Sequence, residues 1–227
     1  MLDNVIWSAL ATRHAHLARG DDRARRYPAD MAPFLAVADE GPEAAAALRT
    51  LAEPAETLTL VGVIPPALPG WIVERRALVS QMVFDGPAVA TEVDGRVAIL
   101  GPADVPAMLD LMAEIYPGYF RPRTIAMGLY LGVCEGGRLI AMAGQRMALD
   151  GHREISGVAT RPEHRGRGHA GRLVSRLVAA ILGEDLTPFL HVDAENHAAR
   201  SAYEKAGFVH RKDLPLARVR RDGDGHW

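Results

Sequence analysis

Two short turn signals, Glu135-Gly136-Gly137 and Asp150-Gly151, constrain this chain more than any other feature. Each lies between apolar runs: MGLYLGVCE (127–135), RLIAMAGQRMAL (138–149) and REISGVAT (153–160). Glycine supplies the positive φ of a tight hairpin, and so short a link leaves the flanking strands no arrangement but antiparallel. Residues 127–160 are therefore expected to form an antiparallel meander. A parallel sheet with a helical crossover between every pair of strands is excluded for this stretch.

The meander leads into a second, equally regular stretch. From about residue 167 to 182 the apolar residues Leu173, Val174, Leu177, Val178, Ile181 and Leu182 form a 3.6-residue stripe, which Gly183 ends. TPFLHVD (187–193) reads as a strand. Residues 196–207 read as a helix, with Asn196 as its cap and Gly207 just past its end. Phe208-Val209 opens a last strand, and the polar tail RVRRDGDGHW is expected to fray. Upstream, GRVAIL (95–100) reads as a strand. Asp104 then caps a helix whose apolar positions are Val105, Met108, Leu109, Met112 and Ile115.

The first half carries fewer marks. Helices are expected over 4–18 and 41–53, and strands over 34–38 and 57–63. IPPALPG (64–70) is a loop, and WIVERRALVSQMVF (71–84) is ambiguous between strand and helix. A boundary falls near FDGPA (84–88) and the residues after it. The resulting division is residues 1–92 as an α/β segment of unknown role, 93–220 as a second domain and 221–227 as a flexible tail.

Composition narrows the function class. At 48% hydrophobic and 24% charged residues, the 227-residue chain can bury a core. A formal net charge of −2 gives no general attraction to nucleic acid or anionic membrane. No apolar run approaches the roughly 18 residues of a spanning helix. The opening residues show neither a basic start nor a long apolar run, so a cytoplasmic protein is expected. Cys134 is the single cysteine, so no intramolecular disulfide can form. It reads as a buried strand residue, with nothing near it in sequence to activate a thiol. The nine histidines lack ligand spacing, and His14-x-His16 on a helix would point apart, so no metal is expected.

The chemistry concentrates in RPEHRGRGHAG (161–171), between a strand and the amphipathic helix. Gly166 and Gly168 allow a ligand to approach the backbone, while Arg165 and Arg167 add positive charge. The unpaired N–H groups and the dipole of the helix start favour an anion such as a diphosphate. Two other readings stand beside this one. The glycines could serve turn geometry alone. Gly166-x-Gly168-x-x-Gly171 also matches the dinucleotide fingerprint, but RPEHR separates the glycines from the strand, and the strands before them form hairpins.

Arg165-Gly-Arg-Gly-His-Ala170 resembles the Arg/Gln-x-x-Gly-x-Gly/Ala motif of the GCN5-related N-acetyltransferase (GNAT) superfamily. Asn196-x-x-Ala199-x-x-x-Tyr203-Glu-Lys-x-Gly207-Phe208 is similar to the family's distal motif. The resemblance covers about residues 93–220. IAMAGQRM, EISGVAT and TPFLHVDAEN look most like the FR47-like branch. It implies an α/β fold: a mixed, mainly antiparallel sheet flanked by helices, with a splayed coenzyme cleft. The N-terminal α/β segment packs beside it, and a degenerate GNAT-like half is one option for that segment.

The resemblance also implies acetyl-CoA as co-substrate, with no metal. Its binding residues are then Arg165, Gly166, Arg167, Gly168, His169, Ala170 and Gly171 at the loop, with Val158, Ala159 and Thr160 along the adjoining strand. Asn196 is added, although it is first of all a helix cap. Gly157 allows a bulge or close approach, and a backbone N–H near Val158 would stabilise the oxyanion. Tyr203 is the candidate general acid, with packing on the sheet as the alternative. Glu154, on one strand face with Ser156 and Val158, is the candidate general base, with a surface ion pair as the alternative. His191 is a second candidate base.

The function expected is direct transfer of an acetyl group to a primary amine, probed first among small molecules such as amino acids or polyamines. The alternative is a non-catalytic acyl-CoA-binding module. A homodimer is compatible with this reading, and neither nucleic acid nor membrane is an expected partner.

Overall fold

The structure, a computed structural model, describes residues 1–87 and 95–223. The boundary expected at residues 92 and 93, and residues 224–227 of the expected tail, lie outside the described residues. The first half contains α1 (Val5–Ala11), β1 (Arg19–Gly20), β2 (Ala24–Arg26), β3 (Leu35–Val37), α2 (Pro42–Leu48), β4 (Thr57–Val61) and β5 (Trp71–Phe84). The second half contains β6 (Val97–Ile99), α3 (Val105–Ile115), β7 (Tyr130–Glu135), β8 (Arg138–Leu149), β9 (His152–Thr160), α4 (His169–Leu182), β10 (Thr187–Asp193), α5 (His197–Lys205) and β11 (Phe208–Arg221).

The ambiguous stretch 71–84 resolves as a strand. It is a long strand with exposed charged residues at its start and a buried end, Met82 and Phe84 among the core residues. It pairs antiparallel with both β10 and β11. The eight-stranded sheet has the order β4-β11-β5-β10-β9-β8-β7-β6. All its pairs are antiparallel except β9 with β10. Residues 57–84 therefore do not pack beside this sheet: they supply β4 at its edge and β5 in its interior. The small sheet β1-β2-β3 adds strand pairs that the sequence patterning did not bring out.

Two further expectations are corrected. Arg218–Arg221, expected to fray, pair with β5, and Arg220 also pairs with Thr57 of β4. Strand pairing supplies the order that local composition could not. Cys134, expected to be buried, is exposed, because a register shift between Val133 and Cys134 precedes the hairpin turn.

Side chains alternate across the sheet as the pleat requires. Leu190 and Val192 of β10 join the core formed with α4 residues Leu173, Val174, Leu177, Val178 and Ile181. Phe189 joins the opposite core, with α1 residues Val5, Ile6, Ala9 and Leu10. The helix α3 covers Tyr130, Leu139, Met142 and Ala159. No described helix is long and apolar enough to cross a membrane.

Candidate active site

The two parallel strands come apart where the chemistry is expected. Pairing runs from Thr187↔His152 to Leu190↔Ile155 and then stops, although β9 continues to Thr160 and β10 to Asp193. Gly157 lies just past the last pair, with φ +62°. On its other side β9 pairs Ser156 with Gly144 and Ala159 with Met142, so Gly157 and Val158 together face Ala143. This is a bulge with glycine in the left-handed region, a device that bends a strand.

The bulge also changes which residues share a face. Val158 packs in the same core as Ile155, against α4. Glu154, on the other side of Ile155 in the pleat, faces the opposite way. The expected common face of Glu154, Ser156 and Val158 is thus broken, because one inserted residue reverses the alternation beyond it.

A cavity of about 700 Å³ occupies the gap. Gly157, Val158, Asn196, Ala199 and Tyr203 line one part of it, and Val5, Ile6, Phe34 and Val61 another. Arg146, Glu154 and His191 line it as well. Residues of the first half therefore contribute directly to its wall.

The glycine-rich loop leaves β9 at its open end. A 3₁₀ turn over Pro162–His164 precedes Gly166 and Gly168, both with φ +76°, and Gly168 is the N-cap of α4. A Cβ at Gly166 would meet nothing within 4 Å, so backbone conformation rather than packing calls for glycine there. Arg165, Gly166, Arg167, Gly168 and Gly171 are exposed, and Ala170 is half-buried. Arg165 Nε donates to Thr160 O at 3.2 Å. His169 is buried, with Nδ1 3.0 Å from Arg172 Nη2. His169 Nε2 and Thr160 Oγ1 are buried polar atoms without a hydrogen-bond partner among the described residues. The loop is anchored by Arg161, whose buried guanidinium donates to Leu139 O at 2.9 Å and pairs with Asp110 and Glu114 of α3.

The buried polar group inside the cavity is tightly ordered. Glu154 accepts from Arg146 Nε and Nη2, both at 2.8 Å, and from Met147 N at 3.3 Å. His191 Nδ1 lies 2.8 Å from Glu154 Oε1. Gln81 Nε2 donates to Leu2 O at 2.8 Å while its Oε1 accepts from Arg211, which fixes the amide orientation. The same Nε2 is 3.0 Å from His191 Nε2, so that ring nitrogen accepts and Nδ1 carries the proton given to Glu154.

Residues 130–215 match the FR47-like protein family. A crystal structure from Novosphingobium aromaticivorans, described as a GNAT-family acetyltransferase, shares 35% identity over 97% of this chain and 98% of its own, with a TM-score of 0.89. The chain belongs to the GNAT family. The GCN5-related N-acetyltransferase of Kribbella flavida has the same fold at 17% identity, with a TM-score of 0.61 over 98% of this chain and 96% of its own. A GCN5-related N-acetyltransferase-like protein of Streptococcus suis aligns over 89% of this chain and 82% of its own, at 15% identity and a TM-score of 0.54. No curated protein matches significantly.

Within this GNAT fold the expected site residues gather in two places. Val158, Ala159 and Thr160 follow the bulge, and residues 165–171 form the loop and first turn beyond them. Asn196 lines the cavity while its side chain caps α5 by accepting from Ala199 N at 3.0 Å. Tyr203 lines the cavity from α5, its ring 6.0 Å from that of Phe208 in an edge contact. Burial, with a contribution from Tyr116, raises its phenol well above the ordinary value of 10.0, so it keeps its proton.

Glu154 does not fit the base role expected of it. Its side chain is 1% exposed and both oxygens are engaged. Burial alone would raise its carboxyl, but the charge and hydrogen bonds of Arg146, with the hydrogen bond of His191, hold it well below the usual carboxylate range. His191 is likewise occupied on both ring nitrogens. Sequence reasoning missed Arg146, Gln81 and Phe34. The one available signal was Arg146, next to Gln145, in the largely apolar run IAMAGQRM.

Proposed function

We propose that this GNAT protein transfers an acetyl group from acetyl-CoA to the primary amine of a small molecule. The observation that carries the reading is the end of β9–β10 pairing at Ile155 and Leu190, with the Gly157 bulge and Tyr203 both bordering the gap. The loop fits a diphosphate: its two left-handed glycines are open to solvent, and the free N–H groups of α4 point outward from its start. Arg165 and Arg167 supply positive charge beside them. The edge of Val158–Thr160 on the β10 side, beyond the last β9–β10 pair, suits the pantetheine arm, and the unpartnered Thr160 Oγ1 supports a polar contact there.

In this reading the amine nitrogen attacks the thioester carbonyl carbon. The Val158 N–H, at the bulge, stabilises the charge that develops on the carbonyl oxygen. The C–S bond breaks, its electron pair leaves on sulfur, and Tyr203 donates the proton that completes the thiol. The nitrogen loses a proton to water, and solvent restores the proton of Tyr203. Glu154 and His191 act here as positioning residues that hold Arg146.

The test is incubation with acetyl-CoA and a mixed amine panel. Thiol release and the mass of an acetylated amine are followed together. Acetyl-CoA binding without thiol release against any amine would favour the non-catalytic acyl-CoA-binding module instead.

A further inference from the structure

The cavity contains a hydrogen-bonding edge that the fold itself does not use. Arg146 presents five N–H donors in a planar fork. Its side-on edge, Nε and Nη2, is taken by Glu154 at 2.8 Å for each contact. The face of the guanidinium lies 4.7 Å from the Phe34 ring centroid. The remaining edge, formed by Nη1 and the second Nη2 hydrogen, makes no hydrogen bond to any described residue. Nor is Nη1 buried away from the cavity that Arg146 lines. The Arg146 side chain keeps 17% of its surface, against 1% for Glu154. A guanidinium held by a carboxylate on one edge and an aromatic ring on one face cannot swing to another partner. It presents its open edge in a fixed direction, at no further cost in side-chain entropy.

We propose that the open edge of Arg146 binds a carboxylate of the acceptor, so that the substrate is an amine bearing both a carboxylate and an apolar body. This rests on the acetyl-transfer reading and adds to it the chemistry of the acceptor. The planar edge matches a carboxylate through two parallel hydrogen bonds. The apolar body is called for by the surrounding wall, where Val5, Ile6, Phe34, Val61, Val79 and Leu216 face the same space. The first half of the chain thereby acquires a role, because Val5, Ile6, Phe34, Val61 and Val79 all come from it. At the other end of the acceptor the amine meets the thioester near Val158. Two sources carry this chemistry: a free apolar amino acid, and the C-terminus of a short apolar peptide. A polyamine has neither the carboxylate nor the apolar body.

The deciding measurement pairs each acceptor with its own carboxamide, for apolar amino acids and for apolar dipeptides, with a diamine as a further arm. The acid should have a kcat/KM about 10- to 100-fold above its amide, the range of a hydrogen-bonded charge pair. The better of the amino-acid and dipeptide arms identifies the source. Arg146→Lys, which retains the positive charge but loses the fork, should bring the ratio of acid to amide toward one, through KM for the acid more than through kcat. Equal use of acid and amide by the unaltered protein would overturn the carboxylate site, even if Arg146→Lys failed to fold. Efficient turnover of the diamine alone would overturn it while leaving acetyl transfer intact. Absence of thiol release with every amine would overturn both.

Discussion

Arg146 and Glu154, eight residues apart on neighbouring strands, form a two-point ion pair, with Nε–Oε2 and Nη2–Oε1 both at 2.8 Å. A carboxylate with both oxygens engaged, buried and held below its usual range, is a poor acceptor of a substrate proton. Its physical effect is to fix the guanidinium.

Glu154→Gln should therefore behave as loss of a buried pair. Removing one partner of such a pair costs about 3–5 kcal/mol, and urea unfolding would read it. If Glu154 were the base, raising the pH would restore the rate of the variant. Here the pH–rate profile should keep its shape, and any fall in activity should persist at high pH. The ion pair also has an acid limit. The unfolded chain takes up this proton near the ordinary 4.5, whereas the folded chain does so only at lower pH. Its stabilisation is thus complete above that value and is lost as the pH falls below it.

Tyr203→Phe should lower kcat by about 10²-fold while leaving acetyl-CoA affinity nearly unchanged. The ring packs edge-on against Phe208, and phenylalanine keeps that contact. Full activity across the neutral and mildly alkaline range would mean that the thiolate leaves unassisted and that Tyr203 only fills space.

Gly166→Val should weaken acetyl-CoA binding roughly tenfold, as measured by calorimetry, the loss expected when an anion can no longer approach a helix start. Its Cβ would meet no neighbour within 4 Å, but valine is strained at φ +76°, so the variant should also lose about 1–3 kcal/mol of global stability, which urea unfolding reads separately from binding to the folded protein. Unchanged affinity would remove the diphosphate from this loop.

His14 predicts a second acid sensitivity, at milder pH. It is buried beside Tyr27, with Nδ1 2.8 Å from the phenol oxygen. Burial, followed by the nearby charges of Arg153 and His16, lowers its pKa from 6.5 to about 4. The unfolded chain binds this proton first, so stability contributed above pH 6.5 is lost as the pH falls toward about 4. The loss should be on the order of 3 kcal/mol. Urea unfolding of the parent and of His14→Asn at a series of pH values checks it: the variant should lose less stability over that interval.

Residues 95–223 expressed alone should fail to form a soluble fold. The strand β5 lies between β10 and β11, and its end residues Met82 and Phe84 belong to the core under α4. Without it, two strands lose their shared partner and expose a buried face. A folded fragment with native circular dichroism would show that β10 and β11 can close without it.

The amino-acid sequence by itself determined the local elements whose chemistry is short-range. Glu135-Gly136-Gly137 and Asp150-Gly151 set the two hairpins, the leucine and valine stripe set α4, and Asn196 with Gly207 framed α5. The glycine-rich loop could be located, and an anion expected at it, for the same reason: unpaired N–H groups and left-handed glycines are properties of a few consecutive residues. Tertiary structure decided what depends on contacts distant in sequence. It turned residues 71–84 into an interior strand, because their partners His191 and Lys212 lie far along the chain. It joined Arg146 to Glu154 across a strand pair, and brought Phe34 and Val61 to the same cavity. The Gly157 bulge shows why patterning alone could not reach this far. One extra residue against Ala143 reverses the alternation beyond it, placing Val158 on the α4 side while Glu154 faces Arg146. A period of two marks which residues alternate, and only the pairing partner fixes where that alternation changes phase.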